Sequence, residues 1–94
     1  VDPTFRHDPD QGLFIAEVGD VAATIAYTRK DEKTLDFQST FVPHVLRNQY
    51  FGTRLVRYAL GWARDNKMKV VPSCWFVKML MDKEAEWKEL RVEG

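Results

Sequence analysis

The stretch that most limits how this chain can fold runs from Thr34 to Val71 and reads TLDFQSTFVPHVLRNQYFGTRLVRYALGWARDNKMKVV. Its first part, Thr34 to Val42, mixes β-branched and aromatic residues and stops at Pro43, which cannot donate to a strand ladder. His44 to Gln49 forms a short elbow ending in residues that tolerate turns. From Tyr50 the apolar period changes to that of a helix. Phe51, Leu55, Ala59, Trp62 and Ala63 recur at three- and four-residue steps, and Val56 and Leu60 widen the stripe. Arg54, Arg57 and Arg64 fall off it and predict a solvated opposite face. Asp65-Asn66-Lys67 ends the helix, and Lys69-Val70-Val71 starts a strand that Pro72 closes. Strand, helix, strand at this spacing predicts a right-handed βαβ crossover with parallel strands.

In such a unit the chemistry sits where the first strand passes into the helix. The leading helical N–H groups have no intrahelical partner there, and the helix dipole adds partial positive charge. A phosphate or carboxylate suits that position. Arg47 stands just before it and Arg54 about one turn in. Gly52 lets the backbone approach a ligand closely. A plain solvated helix start has the same local pattern, so both readings stay open at this point.

Upstream, Gly12 to Val18 reads as a strand, with Leu13, Ile15 and Glu17 on one face and Phe14, Ala16 and Val18 on the other. Gly19-Asp20 is a two-residue hairpin loop. Val21 to Thr28 is the next strand, and Arg29 to Lys33 a charged turn before Thr34. The expectation is an antiparallel meander of three strands plus one strand in parallel: an α+β, mostly antiparallel mixed sheet with a C-terminal helix. Residues 1–11, with two prolines and three aspartates, read as an N-terminal arm, and 12–94 as a single domain. After Pro72, Ser73 can cap a helix whose apolar face is Val77, Leu80 and Met81. Glu84 and Lys88 stand four apart as a helical ion pair, and Trp87 and Leu90 anchor a last turn.

Ninety-four residues with a 45% apolar fraction suffice for one core. Fourteen basic and fourteen acidic side chains cancel, which argues against a general nucleic-acid or acidic-membrane binder. No apolar run is long enough to span a bilayer. A single cysteine excludes an intrachain disulfide. With no leader pattern at its start, the chain reads as cytoplasmic. Two histidines and one cysteine are too few for a closed zinc site.

Cys74 follows the last strand and opens a helix, where the dipole favours a thiolate; a space-filling cysteine fits the same position. His44, beside Pro43 in the elbow, could serve as a general base or be an inert loop residue. His7, in the arm, is read as inert. Trp75, Phe76, Met79 and Met81 read as core, with Trp75 also able to wall a pocket beside Cys74. Glu84, Glu86 and Glu89 read as a solvated face.

Taken together, Thr40-Phe41-Val42-Pro43, Leu46-Arg47-Asn48-Gln49-Tyr50-Phe51-Gly52 and Leu55-Val56 resemble the "HT-x-VP…RG-x-G-x-G…LV" signature of the small Gcn5-related N-acetyltransferase-like proteins of about a hundred residues. Val71-Pro72-Ser73-Cys74-Trp75-Phe76-Val77 is similar to their second motif, "P-x-C-x-[YF]-[VI]". The likeness extends from about Leu13 to Leu90. It implies an acetyltransferase-like fold with acetyl-CoA (or CoA) in a cleft between two splayed parallel strands. It further implies that Arg47, Asn48, Gln49, Tyr50, Phe51, Gly52 and Thr53 surround the diphosphate, the backbone amides from Gln49 to Thr53 holding it. Phe41 and Val42 would then pair with the pantetheine amides. Cys74 would sit close to the thioester as acyl acceptor, as acid for the departing thiolate, or as structure.

Three departures from the pattern stand out. Ser39 replaces the usual histidine, and Asn48 and Tyr50 replace two loop glycines. Asn tolerates a left-handed backbone, whereas a positive φ at Tyr50 costs about 1–2 kcal/mol. A weakened or reshaped pocket is the consequence expected. The readings carried forward are acetyl transfer from acetyl-CoA to an amine of unspecified identity, a non-catalytic CoA- or acyl-CoA-binding or adaptor domain, and a protein-interaction module using the Arg54/Arg57/Arg64 face or the Trp87 segment.

Overall fold

The computed structural model describes residues 2–92, with the backbone alone for Asn48 and Gln49. Strands β1 (Thr4–Asp8), β2 (Leu13–Val18), β3 (Val21–Asp31) and β4 (Thr34–Phe41) follow one another antiparallel. Strand β5 (Lys69–Pro72) joins β4 in parallel, so the sheet runs in chain order. Helix α1 (Phe51–Asp65) makes the crossover, after a 3₁₀ turn over His44–Gln49. Helix α2 (Trp75–Lys83) and a 3₁₀ turn over Ala85–Leu90 complete this α+β architecture.

Local pattern explains most of it. The β2–β3 hairpin closes at the Val18–Val21 pair, with Gly19 at φ 59°, a conformation glycine adopts without a Cβ clash. Phe14 and Ala16 join the main buried cluster, so Ile15 lies on the other face by alternation. The apolar stripe of α1 is buried as its spacing requires: Phe51, Leu55, Val56, Ala59, Leu60 and Ala63. Val77, Leu80, Met81, Trp87 and Leu90 belong to the same cluster. Strand β3 runs three residues further than the alternation suggests, because Asp31 turns the chain alone by accepting the Lys33 N–H at 2.8 Å.

Three expectations need correction. Residues 4–8 are not an arm but strand β1, in register with β2 from Thr4–Glu17 to Asp8–Leu13. Phe5 and His7 alternate onto the core side, where Phe5 stacks on Tyr58 at 5.1 Å and His7 on Phe14 at 4.2 Å. Ser73 does not cap α2. Cys74 occupies the cap position, its carbonyl accepting the Lys78 N–H at 2.9 Å, and no side chain caps the helix. Glu84 turns to Arg57 and to the Trp87 indole N–H at 2.8 Å instead of to Lys88. The segment from residue 85 onward is 3₁₀, so side chains four apart no longer stack. The arginine face of α1 is solvated as expected, with Arg57 and Arg64 exposed, and each arginine also has a partner. Arg57 holds Glu84, Arg64 lies over Trp87 at 5.1 Å, and Arg54 lies 5.9 Å from the Phe5 ring centroid.

His7, read as inert, is half-buried and packs against the core. Its Nε2 hydrogen-bonds the Tyr27 hydroxyl, and Trp62 meets it edge-on at 4.5 Å. Burial pushes its pKa below the ordinary 6.5, Arg29 adds to that, and Asp8 opposes it. Below pH 6.5 the unfolded chain therefore takes up a proton that the fold resists. Stability should fall as pH drops through that value and level off once folded His7 is charged. Thermal melts between about pH 7 and 5 should show the slope, and His7→Gln should flatten it. Parallel slopes for the two proteins would assign the dependence to other groups.

Candidate functional site

The site begins with a β-bulge. Ala26 faces Ser39 and Tyr27 faces Phe37, which leaves Gln38 as an extra residue in β4. A bulge of this kind shifts the alternation by one. Thr40 therefore lies opposite the buried Ile25 and shares the core-side face with Phe37. Without the bulge, Ser39 and Phe41 would take that face.

The β4–β5 pairing stops at the Phe37–Pro72 pair. Beyond it the Cys74 N–H donates to the Phe37 carbonyl at 2.8 Å, and the chain leaves as α2. Strand β4 continues to Phe41, and among the described residues no strand pairs with that edge from Gln38 onward. The two parallel strands thus open into a fork with a bare backbone edge on one arm.

Helix α1 starts at the mouth of this fork. Its first α-helical bond is Arg54 N–H to the Tyr50 carbonyl at 3.0 Å. The preceding amides, of Phe51, Gly52 and Thr53, have no acceptor within α1, and the helix dipole adds partial positive charge there. Tyr50, where the chain enters the helix, has φ 59° and ψ 22°, a left-handed backbone costing about 1–2 kcal/mol for a residue with a Cβ.

Two grooves meet here. One, of about 350 Å³, is lined by Val42, Arg47, Tyr50, Gly52, Thr53 and Phe76. The other, of about 390 Å³, is lined by Thr40, Val42, Arg47, Trp75 and Phe76. They share Val42, Arg47 and Phe76, so they adjoin as a channel from the start of α1 to Thr40. Arg47 is held in place by its Nε–H, which donates to the Val42 carbonyl at 3.0 Å. Gly52 forms a cradle: a Cβ there would stand 3.0 Å from Val42 Cγ2 and 3.3 Å from the Phe76 ring.

Cys74 lies at the inner end of this channel. Its side chain is buried, with Sγ 3.4 Å from Thr40 Oγ1, close enough for either group to donate to the other. The thiol lines neither groove itself, so Thr40 stands between it and the open space.

The residues singled out in the sequence thus divide. Tyr50, Gly52 and Thr53 line the first groove, and Val42 and Arg47 line both. Phe51 offers only its amide, because its side chain is buried in the core. Phe41 ends β4 with its side chain exposed and outside both linings. The side chains of Asn48 and Gln49 lie outside the described residues. His44 is exposed and lines neither groove. Trp75 and Met79, expected in the core, are exposed on α2, where Trp75 walls the inner groove. Thr40 and Phe76 were missed as site residues. Thr40 belongs to the motif quoted above, but its orientation toward Cys74 depends on the bulge.

Among the described residues no group of three His, Cys, Asp or Glu side chains could hold a metal ion. No helix among them is long and apolar enough to cross a membrane.

Comparison with known proteins agrees with the geometry. A family model described as GCN5-related N-acetyl-transferase matches residues 13–90. The chain is also similar to a GCN5-like N-acetyltransferase candidate of Staphylococcus aureus solved by NMR. That match has a TM-score of 0.73 at 22% identity and covers 97% of this chain and 89% of the other. At that identity the likeness is one of fold. No curated protein matches the chain.

Proposed function

This chain belongs to the GCN5-related N-acetyltransferase family, and from that premise we propose that it transfers an acetyl group from acetyl-CoA to an amine. The observation that carries the proposal is the channel running from the start of α1, along the bare β4 edge, to the Thr40–Cys74 pair.

The residues present fit such a cofactor. The amides of Phe51, Gly52 and Thr53, with the Arg47 guanidinium beside them, suit a diphosphate. Gly52 keeps open a cradle that any Cβ would fill. The unpaired edge from Gln38 to Phe41 can pair with an amide-bearing chain as another strand would. When bound, acetyl-CoA supplies an acyl group already activated as a thioester and a thiolate that must leave.

The chain's own groups then have distinct tasks. Cys74 holds a transferable proton at Sγ, and the Thr40 hydroxyl links that atom to the groove. A proton donor at this point neutralises a departing thiolate. Because Cys74 is buried behind Thr40, proton donation accounts for its position better than direct attack on an acyl group does. Trp75 and Phe76 wall the inner groove and give the thioester end an apolar, aromatic lining. Among the described residues neither groove is lined by a histidine or a carboxylate.

Calorimetric titration with CoA and acetyl-CoA, followed by acetyl-transfer assays over a panel of amines, tests this reading. Wild-type protein should bind both cofactors and acetylate at least one class of amine. Cys74→Ala should bind them equally well while transfer slows by about 10²–10⁴-fold. Unchanged transfer would remove the thiol from the mechanism. Binding without turnover on any amine would leave a CoA-binding domain, and no heat at millimolar ligand would overturn the cofactor reading itself.

A further inference from the structure

Two non-glycine residues among those described have positive φ, Tyr50 and Lys67. Lys67 has a routine explanation. It closes the C-terminus of α1, its N–H donating to Arg64 and the next N–H, of Met68, to Ala63, as helices commonly end. The Tyr50 backbone closes the 3₁₀ turn His44–Gln49 in the same left-handed way. Its side chain is what the fold does not use. Its ring is 77% exposed and, among the described residues, takes part in no hydrogen bond, ring contact or cation–π contact. The strained backbone is thus not offset by packing of the side chain.

The exposed ring lies on the wall of a groove and not against the core. Tyr50 lines the groove at the start of α1 with Arg47, Gly52 and Thr53, but it does not reach the inner groove beside Thr40. It therefore stands at the end of the channel away from Cys74. If the diphosphate lies on the α1 amides and the thioester lies near Cys74, the nucleoside of the cofactor emerges on the Tyr50 side. Resting on the acetyl-CoA reading above, we propose that Tyr50 is the stacking platform for the adenine ring of CoA. An aromatic face suits this task because stacking requires a flat π-surface and no fixed hydrogen-bond register. The same ring, through its exposure, leaves the cradle at Gly52 open.

The test compares two ligands, CoA and 4′-phosphopantetheine, which lacks the adenosine. Three variants are titrated by calorimetry and melted without ligand: Tyr50→Phe, Tyr50→Asn and Tyr50→Gly. Asparagine tolerates the left-handed backbone and carries no ring, so it separates loss of stacking from the added flexibility of glycine. Tyr50→Phe should bind CoA as wild type does. Tyr50→Asn and Tyr50→Gly should bind it roughly tenfold more weakly, bind phosphopantetheine unchanged, and melt no lower than wild type.

Equal CoA affinity across all four proteins would overturn the platform while leaving the cofactor reading intact. So would an equal loss for both ligands, which would place the effect in the diphosphate amides. A lowered melting temperature in both ring-free variants would mean that the ring packs within the fold, and would also overturn it. If wild-type protein binds neither ligand, the platform and the cofactor reading fall together.

Discussion

Phe14→Ala is expected to lower stability by about 3–5 kcal/mol, the range for removing a fully buried aromatic ring. Phe14 is wholly buried in β2, and its ring contacts elements from across the chain. It lies 5.2 Å from Tyr27 in β3, 5.7 Å from Phe37 in β4 and 5.6 Å from Trp62 in α1. His7 of β1 stacks on it at 4.2 Å. Four elements therefore border the cavity that the substitution would open, and no single side chain can move to fill it. A domain of this size has about 5–14 kcal/mol in total, so the loss is about a fifth or more of what holds it folded. The melting temperature should fall by roughly 20 °C. Phe14→Leu, closer in volume, should cost much less. A loss below about 1 kcal/mol for the alanine variant would show that the aromatic cluster is not the centre of the core.

Gly52→Val should weaken CoA binding at least tenfold, equivalent to about 1.4 kcal/mol, with little change in folding. A Cβ at this position already approaches Val42 and Phe76 closely, and the two further methyls would fill the space over the first α1 amides. The effect on stability is a balance. Replacing a helical glycine favours α1, while overpacking against Val42 and Phe76 opposes it. Gly61→Ala supplies the control, because the nearest atom to a Cβ there is Arg64 Nη2 at 4.0 Å. It should raise stability by about 0.5–1 kcal/mol and leave binding unchanged. Wild-type CoA affinity in Gly52→Val would move the diphosphate away from the start of α1.

These two substitutions sit at opposite ends of what could be read from the chain. Phe14 belongs to a strand whose alternation assigned its face, and α1 declared its buried stripe through Leu55, Val56, Ala59 and Leu60. The crossover followed from the strand and helix lengths alone. The site was legible only as a place, the junction of β4 and α1 with Arg47, Gly52 and Cys74 nearby. Strand β1 was hidden because Phe5 and His7 are its only core-facing rings. Their burial depends on Tyr58, Phe14 and Trp62 being there to receive them. Helix α2 was ambiguous for a different reason. Trp75, Phe76, Met79 and Met81 surround a nine-residue helix on several sides. The anchor from the Cys74 N–H to the Phe37 carbonyl selects which of them face water.

Residue order by itself determined the periods, the turns and the parallel pairing of β4 with β5, since these depend on neighbours within a few positions and on the handedness of the crossover. Only the tertiary structure decided that Gln38 bulges, that Thr40 rather than Ser39 meets Cys74, and that the Tyr50 ring points outward. Each of those outcomes depends on a partner strand or helix far away in the chain. A one-residue slip of register, invisible in local propensity, turns a side chain to the opposite face of a sheet.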